Sequence, residues 1–353
     1  MMRKTKISGT QLLSVIEKTL AKLLPASWSV AVKPEVRLRN VVVDAVLKLR
    51  APDRKTAKFA VEIKNKLEPR DVGRVVKQAR ASGLDSVLVA AGFLGPRARE
   101  LLVEAGASYL DATGNVRLVL DRPALFICTD GSTINPWREE RALVSLKGPS
   151  SARVIRALCD FLPPYGVREL SEKAGSSLGS TSRVLSFLER EAIVQKEKRG
   201  RVVGVDWATL LRRWAQDYVF ETAHTLQTFL NPNTQASLNK KLKNLKSSYA
   251  VTAAPAANLV APVAAVRLTT VFVKNIPASA VELGLREIDA GANVILAEPL
   301  DPVVFERTWR KGGIVYAALS QVAADLMTSP GRGPAEADAL MRWMGKHEND
   351  WRT

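Results

Sequence analysis

SSARVIRALCDF (150–161), GVRELSEKAG (166–175), TSRVLSFLERE (181–191) and AIVQKEKRGRVVGVDW (192–207) decide how this chain is read. In the first, Val154, Ile155, Leu158 and Phe161 recur at helical spacing, and Pro163 and Pro164 close the helix. In the second, Val167, Leu170 and Ala174 share one face and Gly175 marks the stop. The turn SSLGS (176–180) leads into a third helix that turns Val184, Leu185 and Leu188 inward. It leaves Ser180, Thr181, Ser182 and Arg183 at its exposed start. The fourth stretch predicts two short strands joined at Lys198, Arg199, Gly200 and Arg201, a basic turn with glycine at its tip.

Three helices followed by a basic hairpin resemble the winged helix-turn-helix modules of bacterial transcription regulators. The resemblance implies double-stranded DNA as a partner. Ser180, Thr181, Ser182 and Arg183 would meet base edges, while Lys198, Arg199 and Arg201 would grip phosphates. The same module elsewhere makes protein contacts, and that reading stays open here.

Charge points the same way. The chain of 353 residues carries +17, distributed unevenly. Residues 1–149 hold 26 Lys and Arg against 15 Asp and Glu, a net +11. Residues 150–248 hold 16 against 9, a net +7, and residues 249–353 hold 10 against 11, a net −1. The first two segments therefore offer the polyanion surface, with binding that weakens steeply with salt.

Other classes are poorly supplied. The first apolar run is broken by Glu17, Lys18 and Lys22, which excludes a signal peptide or a membrane span there. Cys128 and Cys159 are too few for a disulfide framework. With only His224 and His347, a histidine zinc site or a Ser-His-Asp triad has almost no material. Any hydrolytic chemistry must use carboxylates and lysine, and a bacterial cytoplasmic, nucleoid-associated location is expected.

Ahead of the winged-helix stretch, TQLLSVIEKTLAKLL (10–24) predicts an amphipathic helix. WSVAVKP (28–34), RNVVVDAVLKL (39–49) and AKFAVEIKN (57–65) predict three strands. RDVGRVVKQARAS (70–82) and SVLVAAG (86–92) follow as helix and strand. With period 2, Glu62 and Lys64 share one strand face while Phe59, Val61 and Ile63 take the other, and Asp44 on a neighbouring strand can lie beside the first pair. Two converging carboxylates call for a cation, Mg²⁺ being the hard ion suited to oxygen ligands, and a nearby lysine can position an attacking water.

This order, with Asp44 in VVVDAVL and Glu62 and Lys64 in VEIK, resembles the core of the PD-(D/E)XK nuclease superfamily. The resemblance implies a restriction-endonuclease-like α/β domain, Asp44 and Glu62 as Mg²⁺ ligands, and Lys64 as the catalytic lysine. Glu17 on the first helix and Gln78 on the helix after the E-x-K strand match helper positions of Holliday junction resolvase-like members. The alternative is a fold kept as a DNA-binding or dimerisation platform, Glu62 and Lys64 forming a surface ion pair. YLDATGN (109–115) resembles a signature of nuclease-like domains joined to winged helices; Asp111 and Asn115 are then functional residues or simply the makings of a tight turn.

INPWREERALVSLKGPS (134–150) predicts a domain junction. WATLLRRWAQDYVFETAHTLQTFL (207–230) predicts a long helical stretch with Trp207, Leu210, Leu211, Trp214 and Tyr218 in the core. Lys240, Lys241, Lys243 and Lys246 then read either as DNA-backbone contacts or as a solvated helix face. From Tyr249 strands and helices alternate. With EPLDPVVF and PGRGPAEA, residues 150–345 resemble the AbiEi-type antitoxins, the regulator half of type IV toxin–antitoxin systems. That implies operator binding, a homodimer and a cognate toxin.

The expected architecture is thus α/β plus winged helix: a nuclease-like α/β domain (1–147), a winged helix-turn-helix with connecting helices (148–248) and a small C-terminal α/β domain (249–353). The leading functional expectation is a DNA-binding transcription regulator. The alternative is a Mg²⁺-dependent DNA endonuclease aimed by the winged helix.

Overall fold

The computed structural model describes residues 9–39, 41–84, 86–137, 145–197 and 200–353. The chain is a mixed α/β protein that divides into two compact units: residues 1–142 with 190–192, and residues 143–189 with 193–353. Among the described residues no helix is long and apolar enough to cross a membrane.

Unit 1 runs α1 (Gly9–Leu23), β1 (Ser29–Leu38), β2 (Val41–Arg50), β3 (Thr56–Lys64), α2 (Val72–Arg80), β4 (Ser86–Ala91), α3 (Pro96–Glu104), β5 (Ser108–Asp111), β6 (Val116–Leu120) and β7 (Leu125–Thr129). The seven strands form one sheet in sequence order. β3, β4 and β5 run parallel, and the other neighbours are antiparallel. Parallel strands need crossovers, and α2 and α3 supply them.

Strand alternation sorts the two faces. Phe59, Val61, Leu88, Ala90 and Leu110 pack with Ile16 and Leu20 of α1 and with Leu24 just after it. Ala60, Val89, Ala91 and Tyr109 pack with Val72, Val75, Val76 and Ala79 of α2 and with Ala98 and Leu102 of α3. Helices therefore cover both faces, which is why β4 after Ser86 (VLVAA) is apolar and buried throughout. β1, at the edge, carries Pro34 and, next to it, Glu35 at φ 45°, where the pairs step from Pro34↔Ala45 to Val36↔Val43 without a change of register.

Unit 2 begins with α4 (Pro149–Asp160), α5 (Val167–Lys173), α6 (Leu178–Arg190) and an antiparallel hairpin of β8 (Val194–Lys196) and β9 (Val202–Val205). It continues with α7 (Trp207–Ala215), α8 (Phe220–Ala223), β10 (His224–Leu230), α9 (Gln235–Asn244), β11 (Tyr249–Thr252), α10 (Ala254–Ala257), β12 (Thr269–Val273), α11 (Ile276–Leu283), β13 (Arg286–Glu287), β14 (Val294–Pro299), β15 (Trp309–Lys311), β16 (Ile314–Tyr316), α12 (Leu319–Met327), α13 (Gly333–Lys346) and α14 (Glu348–Trp351). β10 to β16 make a second mixed seven-stranded sheet, ordered β13-β10-β14-β12-β11-β16-β15.

One expected element is different. The helical stretch over 207–230 breaks after Ala215, resumes only at Phe220–Ala223, and HTLQTFL is a strand between β13 and β14. Sheet pairing with β14 wins over the helical reading of a run whose two threonines and phenylalanine suit a half-buried strand.

Residues expected as separate segments 148–248 and 249–353 share one hydrophobic core in unit 2. Arg156 of α4 is buried in it. Its guanidinium pairs with Asp160 at 3.0 Å and donates to Gln321 Oε1 at 3.1 Å, to the Val303 carbonyl at 3.2 Å and to the Glu306 carbonyl at 3.0 Å. Arg352, also buried, donates to the carbonyls of Cys159, Leu158 and Phe161, closing the C-terminal end of α4.

Candidate active site and nucleic-acid interface

In unit 1 the structure brings Asp44, Glu62 and Lys64 together where β2 and β3 part. The β2–β3 ladder ends at the pair Ala45↔Val61. One residue further on, Asp44 Oδ2 accepts the backbone N–H of Ile63 at 2.7 Å in place of a strand partner. Lys64 Nζ donates to Asp44 Oδ2 at 3.3 Å and to Glu62 Oε2 at 2.7 Å, so one ammonium bridges both carboxylates.

The three groups differ in exposure, and that sets their chemistry. The Glu62 side chain is 1% exposed, Lys64 27% and Asp44 44%. Glu62 is therefore not half of a surface ion pair. Burial pushes its carboxyl above the ordinary carboxylate range, and the hydrogen bond and charge of Lys64 offset only part of that rise. For Lys64 burial acts downward, but the Glu62 hydrogen bond and the charges of Glu62 and Asp44 outweigh it and hold the amine above its usual value.

Glu62 Oε1 is the informative atom: it is buried and has no hydrogen-bond partner. A buried acceptor without a donor costs about 1–3 kcal/mol, so the site holds an unfilled demand for positive charge. Among the described residues no group of three or more His, Cys, Asp or Glu gathers anywhere. Two carboxylates with one free buried oxygen fit Mg²⁺, which is commonly held by one or two carboxylates and keeps several waters.

The remaining expected site residues divide. Glu17 is exposed on α1, and α1 covers the opposite face of the sheet from Glu62 and Lys64, so it is not brought to them. Helical phase explains this: Ile16 and Leu20 claim the inner face and turn Glu17 outward. Gln78 lies on α2, on the correct face, but its side chain is exposed and no hydrogen bond ties it to the three.

Arg74, one helical turn earlier on α2, went unread in the sequence, although its positive charge acts on Glu62. The signal available was its i, i+4 relation to Gln78.

YLDATGN is a structural knot. Asp111 Oδ1 accepts from the Thr113 N–H, the Thr113 hydroxyl and the Asn115 N–H, while Oδ2 accepts from the Leu94 N–H and Asn115 Nδ2. Asn115 in turn donates to the Ser132 carbonyl and accepts from Arg99 and from the Gly131 N–H. Both side chains are buried and spent on joining the loops after β4, β5 and β7. Tyr109, beside them, interacts with Arg99, and burial raises its phenol.

In unit 2 the expected base-reading residues also divide. Ser182 and Arg183 are exposed near the start of α6, and Ser180 is half-buried. Ser177 Oγ accepts the Ser180 N–H at 3.2 Å, and Arg183 donates to Ser180 Oγ at 3.2 Å.

Thr181 corrects the reading: it is fully buried, with Oγ1 unpartnered. α6 starts at Leu178 rather than at Thr181, and Thr181 is in phase with Val184, Leu185 and Leu188 on the inner face. Arg201 is exposed beside Gly200 (φ 79°) at the hairpin tip, and Lys198 and Arg199 lie outside the described residues.

The two C-terminal strings have structural tasks. Asp301 of EPLDP takes both carboxylate oxygens to Arg153 Nε at 3.0 Å and accepts the Val303 N–H. Gly333 of PGRG lies so near Leu326 that an added Cβ would stand 2.5 Å from its carbonyl oxygen. Lys241 donates to the Leu283 carbonyl, and Lys240, Lys243 and Lys246 stand in a largely exposed row, the solvated-face arrangement.

Compared with known proteins, the chain matches no family model, no curated protein and no solved structure.

Proposed function

We propose that this is a DNA-binding protein whose unit 1 hydrolyses phosphodiesters with the help of Mg²⁺ and whose unit 2 holds the nucleic acid. The observation that carries the reading is the convergence of Asp44, Glu62 and Lys64 with Glu62 Oε1 buried and unpartnered. Asp44 and Glu62 are the residues that would hold Mg²⁺. When bound, the ion neutralises charge developing on the phosphate.

The chain's own residues then have distinct tasks. Glu62 fixes the depth of the site because its carboxylate cannot move to solvent. The Ile63 N–H holds Asp44 in orientation. Lys64, released from the carboxylates, can orient a water for attack in line with the leaving oxygen. The excess of cations in residues 1–149 draws the DNA backbone to this unit.

The winged-helix reading supplies the second contact. Ser182 and Arg183 on α6 and Arg201 on the hairpin are exposed as that mode of docking requires. A cytoplasmic place, a homodimer and a cognate toxin belong to the same proposal through the antitoxin resemblance.

A second reading keeps the DNA binding and drops catalysis, leaving a transcription regulator. It is favoured by Lys64, whose ammonium already bridges Asp44 and Glu62. Incubation with linear, branched and supercoiled DNA in Mg²⁺ and in EDTA separates the two. Cleavage that needs Mg²⁺ and is lost in Asp44→Ala supports hydrolysis; no cleavage of any substrate, with tight duplex binding, leaves the regulator.

A further inference from the structure

Trp137 belongs to the stretch read from sequence only as a domain junction, yet it lies at the rim of the sheet that carries the candidate active site. The parallel strands end together there: Lys64 pairs with Ala91, and Ala91 with Asp111. Gly92 and Asn65 are the next residues on their strands. A Cβ built on Gly92 would stand 3.8 Å from the Asn65 carbonyl oxygen and 4.0 Å from Cζ3 of the Trp137 ring. The indole therefore packs against the residue that follows the Lys64 partner.

Three features of this rim suit a base. Trp137 is only half-buried, so part of its aromatic surface is open to solvent. Its backbone N–H is tied to Asn135, whose Oδ1 accepts it at 2.9 Å. The cations Lys66, Arg70 and Arg74 come after β3 in the chain, each with about half or more of its side chain exposed and each ion-paired, Lys66 and Arg70 to Glu68 and Arg74 to Asp71. Exposed cations that a phosphate can draw from such pairs, together with an aromatic face, are the combination that takes single strands with little regard to sequence.

Resting on the reading of Asp44, Glu62 and Lys64 as a phosphodiester site, we propose that Trp137 stacks an unpaired nucleotide next to the phosphate held there. The nucleic acid acted on by unit 1 therefore carries a single-stranded segment at this point, such as an overhang, a flap or a frayed end. A paired base inside a duplex keeps its faces stacked on its neighbours and has none to offer the indole.

The test is fluorescence anisotropy on the full chain in EDTA, where no cleavage occurs. A 12-base-pair blunt duplex is compared with the same duplex bearing a six-nucleotide overhang that contains 2-aminopurine. The overhang is expected to raise affinity and quench the 2-aminopurine. Trp137→Ala should weaken overhang binding about tenfold or more, remove the quenching and leave the blunt duplex unchanged, while Trp137→Phe keeps most of both effects.

Equal losses on blunt and overhang DNA, or no loss on either, overturn the proposal, as does quenching that survives in Trp137→Ala. Thermal melting of both variants reports whether either has failed to fold, and the phenylalanine variant carries the test if the alanine one has. Cleavage in Mg²⁺ by the unaltered chain is scored separately. Its absence removes the hydrolytic reading, whereas the binding arms alone decide the role of Trp137.

Discussion

Replacing Lys64 by methionine keeps the length of the side chain and removes its charge. Glu62 would then be a buried carboxylate with no donor on either oxygen, facing Asp44 with nothing between them. Removing one partner of a buried ion pair costs about 3–5 kcal/mol. Because Lys64 is 27% and Asp44 44% exposed, solvent screens part of this and the lower end, about 3 kcal/mol, applies.

For a unit of this size such a loss lowers the melting temperature by about 10 °C. Two conditions should return it. Mg²⁺ in the millimolar range supplies the missing charge. Acid does so too, because a carboxyl raised by burial binds its proton more tightly in the folded state, so folding gains stability as pH falls through the native pKa towards the ordinary carboxylate value. Calorimetry of Lys64→Met with and without Mg²⁺, at neutral pH and near pH 4.5, measures all three. An unshifted melt, or a lowered melt that neither Mg²⁺ nor acid restores, refutes the argument that the site demands a cation.

Unit 2 should show a compensated pH response. Burial raises Asp325 to about 6, so folding loses stability as pH climbs from about 4 to 6; burial lowers His224 to about 4, so folding loses stability as pH drops from about 6.5 to 4. Each is of order 3 kcal/mol at 1.36 kcal/mol per pKa unit. This pair should therefore contribute little net pH dependence across that window, while Asp325→Asn makes unit 2 acid-labile; an Asp325→Asn melt no steeper with acid than that of the unaltered chain contradicts the cancellation.

On duplex DNA, Arg183→Ala should weaken binding and relax sequence discrimination, and Arg201→Ala should weaken it on all sequences and reduce the slope of log K against log salt by about one. Thr181→Val should leave binding untouched and stabilise by up to about 1 kcal/mol, since the buried hydroxyl has no partner; a DNA-binding defect there would restore Thr181 to the interface. Gly333→Ala should cost roughly 1–3 kcal/mol in thermal melts, because the obstacle is the Leu326 backbone carbonyl rather than a side chain that can move aside.

How far the sequence could be read follows from what each residue answers to. Asp44, Glu62 and Lys64 were legible because strand alternation is local: period 2 fixes the face, and a β-branched run fixes the strand. Thr181 and Glu17 were misplaced for one reason. A helical residue's direction depends on which stripe the core claims, and Thr181, three, four and seven residues before Val184, Leu185 and Leu188, lies on that stripe. β10 was misread because its strand state is imposed by β14, some seventy residues away. Trp137 was invisible because its place beside Gly92, just after β4, is set by packing and not by spacing along the chain.

The most consequential residue that sequence could not weigh is Arg156. Written as R-A-L-C-D, it pairs with Asp160 at i, i+4, the pattern of an exposed helical ion pair worth a few tenths of a kcal/mol. In the fold both are buried, and the guanidinium also donates to Gln321, Val303 and Glu306, while Ser320 donates to Asp160. A charge so placed is tolerable only when each donor is matched, so the C-terminal residues are what make α4 stable as a buried helix. Arg352 adds the same dependence at the end of α4. The helix that opens the candidate DNA-binding stretch thus takes its buried partners from residues 303–352, so whatever loosens those partners acts directly on the scaffold that presents α6.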